Sequence, residues 1–402
     1  MNPVEIKPNI YWIGVNDRQT DKFESMWPIK EEGISYNSYL ILDEKNVLID
    51  LSKEILEETF IDQIRSLVDI TKIDYIVVNH MEPDHTGALR RIMSLAPQAT
   101  ILCSEKARKM IEAFYGFRDG VRAVADGETI SLGKHSLQFL HIPFVHWPET
   151  MATYEITEKI LFSCDAFGGY GALNGYIFDD DNIDLDFYLK ESLRYYSNIV
   201  ASFSKPVINA INKLSSTPIS IIAPSHGLIW RKKPDLISGL YKKWSEYVSG
   251  PAEKGITLIY GSMYGNTEKY MLRVAQGIAS QGLPVNVFNV SYIDPSHILP
   301  SLILYQGVAV GAPTYNGGMF PPMSSLLEEV GIKRIRSRQS IFFGSYGWGG
   351  GAAGNYKQMA ETLLKWDIFA SNDFLGAPLG DTLLQAEQLG ISFAKHIKNP
   401  QA

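Results

Sequence analysis

The sequence is poor in cysteine and has no excess of positive charge. Its 402 residues contain only two cysteines, Cys103 and Cys164, both within apolar segments. A disulfide-stapled fold and a CxxC-type zinc or iron–sulfur site are therefore excluded, and we interpret both thiols as core residues. Lys and Arg total 37 against 44 Asp and Glu, a net charge of −7. This balance argues against a nucleic-acid-binding protein, whose affinity would depend on neutralising phosphates.

The sequence also has no long uninterrupted hydrophobic segment. The uncharged stretch 295–327 is broken by Gly, Pro and Asn, which excludes a membrane helix. The N-terminus does not combine a basic segment with an apolar one, as a secretory signal would. We expect a soluble, cytoplasmic protein that binds neither membranes nor nucleic acid.

The length and the 45 % apolar content predict two or three domains with substantial cores. A short stretch rich in Gly, Pro and charge, VSGPAEKG, separates two differently patterned regions at residues 248–255. We therefore predict domains at residues 1–250 and 251–402.

Short strand-like segments dominate the first region. Residues 37–52 predict a hairpin around the polar turn 43–46, and further strands are predicted at 74–79, 100–103, 129–142 and 151–164. Turns are expected near Gly133 and Glu158. Helical spacing appears at residues 89–95 and 185–214. This pattern indicates an α/β domain with much antiparallel sheet.

Strands and helices alternate in the second region. Strands are predicted at residues 256–260, 285–288, 307–311 and 340–344, with helical segments between most of them. Such alternation predicts a doubly wound parallel sheet. Ligands of these sheets bind at the carboxyl ends of the strands.

A group of candidate metal ligands follows one apolar strand. The segment YIVVNHMEPDHTGAL places His80, Glu82, Asp84 and His85 in a loop before a predicted helix. Four such side chains within six residues would repel and desolvate one another unless a cation were present. A lone histidine near an apolar strand is usually a core or surface residue held by a hydrogen bond. We interpret the histidines at positions 135, 141, 297 and 396 in this way.

Three more candidate ligands, His146, Asp165 and His226, stand in sequence contexts like that of the first four. Each lies at the end of an apolar segment or in the loop after it. The set then contains four histidines and three carboxylates. If Asp165 bridges, each of two metals receives two histidines, one terminal carboxylate and a share of the bridge. Two metals about 3.5–4 Å apart can bind both ends of one small molecule.

Three loops of the second region predict a flavin site. The first joins a strand to a helix whose N-terminus suits phosphate, and it is neither a Walker loop nor a GxGxxG motif. The others combine glycines with an aromatic residue, as a flat isoalloxazine ring requires. The candidate FMN-binding residues are Ser262, Met263, Tyr264, Gly265, Asn266, Thr267, Pro313, Thr314, Tyr315, Asn316, Gly317, Ser345, Tyr346, Gly347, Trp348, Gly349 and Gly350.

These motifs resemble two known families in one chain. The HxExDH loop is similar to the HxHxDH signature of the metallo-β-lactamase superfamily, with Glu82 in place of the second histidine. The second region resembles flavodoxin. Together they resemble the flavodiiron proteins over essentially the whole chain, including HWPE (146–149), CDAFGG (164–169), PSHGLIW (224–230) and GSYGWGGG (344–351). The resemblance implies an αββα sandwich followed by a flavodoxin-like sheet.

The resemblance also implies the roles of the site residues. One iron would be bound by His80, Glu82 and His146, and the other by Asp84, His85 and His226, with Asp165 bridging. In some members of the family the histidine at the position of His85 does not bind the metal. Trp147 would lie near the site and help to exclude water. FMN would relay electrons to the irons, which would reduce dioxygen to water or nitric oxide to nitrous oxide.

The resemblance implies partners as well. The two sites of one chain would be too far apart for fast transfer, so a head-to-tail homodimer, or a tetramer built from two, is expected. Electrons would come from an external donor: rubredoxin, another small carrier or a reduced deazaflavin.

Two other functions are compatible with the motifs. One is a zinc-dependent hydrolase of the metallo-β-lactamase superfamily fused to a flavodoxin, against which Glu82 argues. The other is an FMN electron carrier whose metal site is structural.

The sequence departs from the family at three positions. Members of the family commonly have Asp at the position of Glu149, Gln at that of Gly169 and an acidic residue at that of Gly261.

Overall fold

The chain divides into two units, Met1–Lys242 and Lys243–Ala402, in the computed structural model, which describes residues 1–399. A helix, Pro234–Ser249, runs across this division. The predicted boundary after residue 250 lies just beyond that helix and stays a prediction. The last three residues of the predicted 251–402 domain lie outside the described residues.

Short strands, six helices and the first part of a seventh make up the first unit. The strands are β1 Val4–Lys7, β2 Ile10–Trp12, β3 Val15–Asp17, β4 Lys22–Phe23, β5 Trp27–Pro28, β6 Ile34–Tyr36, β7 Tyr39–Ile41, β8 Asn46–Ile49, β9 Ile73–Val78, β10 Thr100–Cys103, β11 Val121–Ala123, β12 Thr129–Ser131, β13 Ser136–His141, β14 Met151–Glu155, β15 Ile160–Cys164 and β16 Ile221–Pro224. The helices are α1 Glu57–Leu67, α2 Pro83–Thr86, α3 Leu89–Leu95, α4 Glu105–Tyr115, α5 Leu185–Tyr195, α6 Ser204–Leu214 and α7 Pro234–Ser249.

Two mixed sheets organise this unit. The seven-stranded sheet has the order β1-β2-β7-β8-β9-β10-β11 and is parallel from β8 to β11. The five-stranded sheet has the order β12-β13-β14-β15-β16, with only β15 and β16 parallel. The ring centroids of Tyr39 and Phe162 lie 4.8 Å apart. The two sheets therefore face each other across an apolar core.

Most of the predicted elements of this unit are confirmed. Strands β7 and β8 form the predicted hairpin, and antiparallel pairs surround the turns near Gly133 and Glu158. Helix α3 matches its predicted bounds. The predicted helix 185–214 consists of α5 and α6 joined by a π-helical turn, Tyr196–Val200, and a 3₁₀ turn, Ala201–Phe203. Strands β1 to β6 are two to four residues long, too short for periodicity to indicate them.

The second unit is built on one parallel sheet. Its strands are β17 Glu253–Tyr260, β18 Val285–Asn289, β19 Tyr305–Gly311, β20 Thr314–Tyr315, β21 Gly318–Met319, β22 Gln339–Tyr346 and β23 Asp367–Leu375. Its helices are α8 Asn266–Ser280, α9 Pro295–Leu304, α10 Pro321–Ile332, α11 Ala352–Met359 and α12 Asp381–Lys398. The strand order β18-β17-β19-β22-β23, with every pair parallel, confirms the doubly wound prediction.

Helices α8 and α12 cover one face of this sheet and touch each other closely. A Cβ added to Gly277 would lie 2.2 Å from the carbonyl oxygen of Glu387, and one added to Gly390 would lie 2.2 Å from that of Val274. The two glycines thus allow backbone-to-backbone contact. Strand β23 was not predicted, because its residues alternate between half-buried and exposed at the edge of the sheet.

No helix within residues 1–399 combines the length and the apolar character needed to cross a membrane.

Candidate functional site

Four of the candidate ligands lie in the loop between β9 and α2, namely His80, Glu82, Asp84 and His85. Strand β9 ends among buried valines, and Pro83 begins α2 at once. Proline is favoured at the first turn of a helix because its missing N–H needs no partner there. The chain therefore turns sharply, and all four side chains are buried or nearly so.

Hydrogen bonds fix both ends of this loop. Asp50 accepts hydrogen bonds from the backbone amide of Asn79 at 2.8 Å and from its side-chain amide at 3.0 Å. At the other end, the hydroxyl of Thr86 donates to the carbonyl oxygen of Glu82 at 3.0 Å. The loop is thus held independently of anything bound to its side chains.

The remaining candidate ligands come from three other loops. His146 lies after β13, Asp165 directly after β15, and His226 two residues after β16. All three are buried. The structure brings all seven sequence-predicted ligands into one cluster with two parts.

The first part contains His80, Glu82 and His146. Oε2 of Glu82 lies 3.3 Å from Nε2 of His80 and 3.1 Å from Nε2 of His146. Oδ2 of Asp165 lies 3.3 Å and 3.4 Å from the same two nitrogens. These four side chains offer two imidazole nitrogens and two carboxylate oxygens to one point.

The second part contains Asp84, His85 and His226. Oδ1 of Asp165 lies 3.1 Å from Nε2 of His85 and 3.3 Å from Nε2 of His226, and the Asp84 oxygens lie 3.4 Å and 3.3 Å from them. Cys164 lies close enough to His85 and Asp165 to form a third group. Burial raises the pKa of its thiol, however, and a neutral thiol is a poor metal ligand.

Several of these atoms are buried without a hydrogen bond from any described residue. They are Oδ1 and Oδ2 of Asp84, Oδ2 of Asp165, Nε2 of His85 and Nε2 of His226. Their distances to one another are short, but their geometry does not meet that of hydrogen bonds. Buried polar atoms are rarely left unpaired. The donor set therefore fits a pair of divalent cations.

The outer nitrogens of two histidines are held by protein acceptors. Nδ1 of His80 lies 2.7 Å from Oε1 of Glu149, and Nδ1 of His226 lies 2.8 Å from the carbonyl oxygen of Ser35. Such contacts fix the ring orientation and the tautomer of metal-binding histidines. The Nε2 atoms of both rings are thereby turned toward the cluster.

The charges of the cluster depend on one another. Burial would lower the pKa of each imidazole, but the neighbouring carboxylates raise the pKa of His146 to about 10 and that of His226 to about 9. Burial would raise the pKa of Asp165, yet the surrounding histidines hold it well below its usual range. In the absence of a metal, imidazolium protons thus supply the positive charge that the carboxylates require.

Aromatic side chains surround the cluster. The half-buried Trp147, a predicted pocket residue, places its ring edge-on to that of His80, with 5.0 Å between centroids. The rings of Phe23 and Tyr36 contact the His226 ring at 5.6 and 5.7 Å. Of these, only Trp147 was expected from the sequence, since Phe23 and Tyr36 belong to strands too short to be predicted.

A surface cleft of about 260 Å³ reaches the cluster. Its lining includes Phe23, Tyr36 and Lys53 together with the candidate ligands Glu82 and Asp84. A small molecule can therefore approach the ligands of both parts from solvent.

The predicted flavin loops lie at one end of the parallel sheet. They follow β17, β19 and β22, three adjacent strands, at their carboxyl ends. The first loop leads directly into α8, and Gly265 there has a φ of 83°, a conformation that favours glycine. The second contains the small hairpin β20–β21. Strand β22 extends through Tyr346, so the third loop proper is shorter than predicted.

The three loops contact one another. The hydroxyls of Thr267 and Ser345 lie 3.1 Å apart and join the first and third loops. The amide of Ala352 donates to the hydroxyl of Thr314 at 3.2 Å and joins the third and second loops. The predicted residues therefore form one continuous surface.

This surface is open and carries unusually exposed aromatic side chains. Trp348 is 97 % exposed and Tyr264 is 89 % exposed, with Tyr315 at 45 %. A Cβ added to Gly347 or Gly349 would meet no atom within 4 Å. Exposed aromatic rings beside open backbone at the helix N-terminus fit a phosphate-bearing planar ligand such as FMN.

Known families match both units. A family model described as ODP family beta lactamase matches residues 34–227, and the flavodoxin model matches residues 258–369. A protein named nitric oxide reductase from Moorella thermoacetica is 36 % identical over 98 % of this chain and 99 % of its own length. A solved mutant of the flavo di-iron protein from Thermotoga maritima is 30 % identical, with a TM-score of 0.90 over 98 % of each chain.

The chain belongs to the flavodiiron protein family. The structure of rubredoxin oxygen:oxidoreductase from Desulfovibrio gigas is similar as well, with a TM-score of 0.93, 27 % identity and 99 % coverage of each chain. The predicted fold is confirmed: a β-lactamase-like domain precedes a flavodoxin-like domain. This flavodiiron protein is an oxidoreductase, and its cofactors are FMN and a diiron site.

The three departures from the family pattern have local explanations. Glu149, in place of the usual Asp, reaches both His80 and the amide of Met81, at 2.7 and 3.0 Å. A Cβ on Gly169 would lie 2.6 Å from Oγ of Ser192, and one on Gly261 would lie 2.5 Å from the ring of Phe320. At Gly169 and Gly261 of this flavodiiron protein, neighbouring side chains occupy the space that a larger residue would need.

One contact of the cluster gave no sequence signal. Tyr195, at the end of α5, donates a hydrogen bond to Asp165 from 30 positions further along the chain. Tyr188 of α5 and Tyr196 directly after it lie in the same helical segment, so spacing could not single out Tyr195.

Proposed function

We propose that this flavodiiron protein reduces dioxygen to water, nitric oxide to nitrous oxide, or both, at a non-haem diiron centre. Electrons would reach the irons through FMN from an external donor. The observation that supports this most directly is the position of Asp165, whose two oxygens face two separate trios of ligands. A carboxylate shared in this way is suited to bridging two metals.

The ligand assignment follows from the two parts of the cluster. We propose that His80, Glu82 and His146 bind one iron and that Asp84, His85 and His226 bind the other. Asp165 would contribute Oδ2 to the first and Oδ1 to the second. The carboxylate-rich donor set suits iron better than a set of histidines and thiolates would.

Two ferrous irons and a reduced flavin supply four electrons in all, enough to convert one dioxygen to two waters or to couple nitric oxide in pairs. The protein's own side chains have other tasks. Glu149 and the Ser35 carbonyl orient the histidines, and Tyr195 donates to Asp165. Trp147 limits the entry of water beside His80.

The test is made on anaerobically reduced protein. We expect two irons and one FMN per chain, and rapid uptake of dioxygen, nitric oxide or both when the gases are supplied separately. A His146→Ala variant should lose uptake. A His141→Ala variant is the matched control, since its ring contacts the carbonyl oxygen of Val124 outside the cluster.

Two results would contradict the proposal. Zinc in place of iron would favour the hydrolase. A fully reducible flavin without gas uptake would favour an electron carrier with a structural metal site.

We propose rubredoxin, or a carrier like it, as the electron donor, because the similar Desulfovibrio gigas protein is named a rubredoxin oxygen:oxidoreductase. Reduction of the FMN by rubredoxin in a stopped-flow measurement tests this. Reduction by a deazaflavin but not by rubredoxin would contradict it.

The cytoplasmic location of the protein stays a prediction.

We also propose a head-to-tail homodimer, or a tetramer built from two such dimers. The exposed aromatic rings of Tyr264 and Trp348 beside the flavin loops suit a surface that a second subunit covers. Mixing a His146→Ala variant with a Gly349→Asp variant tests the arrangement after subunit exchange. A head-to-tail dimer should regain part of the activity, because one intact flavin then meets one intact metal site. Activity that stays absent in mixed dimers would contradict it.

A further inference from the structure

The turn that bears Asp165 has an unusual backbone. Asp165 directly follows Cys164, whose φ is 53°, and Phe167 has a φ of 69°. Both values lie in the left-handed region, which residues with side chains rarely adopt and only at an energetic cost. The turn therefore needs contacts from outside to keep this conformation.

Several hydrogen bonds supply such contacts. The hydroxyl of Ser163 donates to the carbonyl oxygen of Ala166 at 2.7 Å. The amide of Gly168 donates to the carbonyl oxygen of Asp165 at 3.1 Å, and the amide of Gly169 donates to that of His226 at 3.3 Å. The turn is thereby joined to the backbone of a second candidate ligand.

One contact comes from a distant helix. Tyr241 of α7 is fully buried, and its hydroxyl donates to the carbonyl oxygen of Gly168 at 2.8 Å. Its ring also packs against that of Phe167, with 5.3 Å between centroids. Tyr241 thus contacts the side chain of Phe167 and the backbone of Gly168, two and three residues after Asp165.

We propose that Tyr241 is a positioning residue for Asp165 and thereby for the metal pair, an inference that rests on the proposed function. Its hydroxyl holds the turn at the point where the chain leaves the strained segment. If the hydroxyl of Tyr241 is removed, the buried carbonyl oxygen of Gly168 loses this donor, and the turn can relax. Relaxation would move a carboxylate that must reach two metals at once.

The test compares Tyr241→Phe with Tyr196→Phe. Tyr196 is the matched control, because its ring packs on that of Tyr241 at 5.1 Å and its hydroxyl pairs with that of Ser204 at 2.9 Å. Wild-type protein is first loaded with two irons per chain, which tests the proposed function separately. Each iron-loaded, fully reduced variant is then mixed with a ferrous chelator, and iron release is followed by absorbance.

We expect Tyr241→Phe to release iron roughly tenfold faster than wild type, as is typical when a residue supporting a ligand is lost. Tyr196→Phe should release iron at close to the wild-type rate. Mössbauer and EPR spectra of the loaded Tyr241→Phe protein should also show altered coupling between the irons. Equal release by both variants, or unchanged spectra, would overturn the inference.

A Ser163→Ala variant covers the case in which Tyr241→Phe does not fold. It removes a different side-chain hydrogen bond of the same turn, the one from Ser163 to the carbonyl oxygen of Ala166. Faster iron release in this variant would show that the turn positions the metals, and an unchanged rate would overturn the inference.

Discussion

The hydroxyl of Tyr195 donates a 3.0 Å hydrogen bond to Oδ1 of Asp165, the same oxygen that faces His85 and His226. Both residues are buried. Tyr195 belongs to α5, which is separate in the sequence from the loops that provide the candidate ligands. The hydrogen bond therefore reaches Asp165, the proposed bridging ligand, from a residue outside the HxExDH loop.

Replacing Tyr195 with Phe should weaken the centre without unfolding the domain. The ring keeps its place, but Asp165 loses a donor, and such losses typically reduce activity or metal affinity by roughly tenfold or more. Gas uptake by the iron-loaded variant measures this. Tyr170→Phe is the control, since its ring packs on that of Tyr195 at 5.2 Å. Equal losses in the two variants would contradict the role of the hydrogen bond.

The metal-free protein should lose stability as the pH rises above neutrality. Folding raises the pKa of His146 from 6.5 to about 10 and that of His226 from 6.5 to about 9. A raised pKa contributes stability that is complete below pH 6.5 and is lost as the pH passes through the folded value. Chelated protein should therefore melt at a lower temperature at pH 10 than at pH 7.

Calorimetry in the presence and absence of iron checks this expectation. Iron-loaded protein should show a smaller decrease over the same range, because bound metal replaces the protons. A double variant, His146→Gln with His226→Gln, should lose much of the dependence when metal-free. A melting temperature of the chelated wild type that rises from pH 7 to pH 10 would contradict the expectation.

Replacing Arg338 with Met should destabilise the flavodoxin-like unit. The guanidinium is fully buried, and it donates to the carbonyl oxygens of Tyr247, Gly250, Leu302, Ile303 and Arg336 at 2.7–3.2 Å. Two of these acceptors lie at the C-terminal end of α9, where the helix dipole favours a cation. The loss should be about 3 kcal/mol or more, since several acceptors lose their donor.

Urea unfolding measures the effect of this substitution. Arg336→Met is the control, because the Arg336 side chain is exposed nearby. The prediction fails if the two variants unfold at the same urea concentration.

Replacing Trp348 with Ala should weaken FMN binding. An aromatic ring that is 97 % exposed has few contacts to lose within its own chain, so the effect should appear in FMN binding rather than in folding of the domain. Loss of one stacking partner corresponds to roughly threefold to tenfold weaker binding. Titration by flavin fluorescence measures it, with Tyr292→Ala as a control that is 85 % exposed outside the predicted loops. Equal affinities in the two variants would show that Trp348 does not contact the flavin.

Local pattern was sufficient for much of the architecture. The central parallel strands of the second unit, β17, β19 and β22, contain mostly buried apolar segments. The hairpins of the first unit surround polar turns, so both features could be predicted. Strands β1 to β6 are too short to show a period, and β23 lies at an exposed edge. Their positions depend on neighbouring strands rather than on their own composition.

The sequence by itself determined the candidate chemistry: seven potential metal ligands at the ends of strands, and three loops of glycine and aromatic residues. Four of them lie within six residues, where the side chains would repel and desolvate one another without a cation. Only the tertiary structure decided which oxygen of Asp165 faces which histidines, and that Tyr195 and Tyr241 support that residue. Those contacts join residues dozens of positions apart, and packing of helices against the sheets, which no local spacing encodes, brings them together.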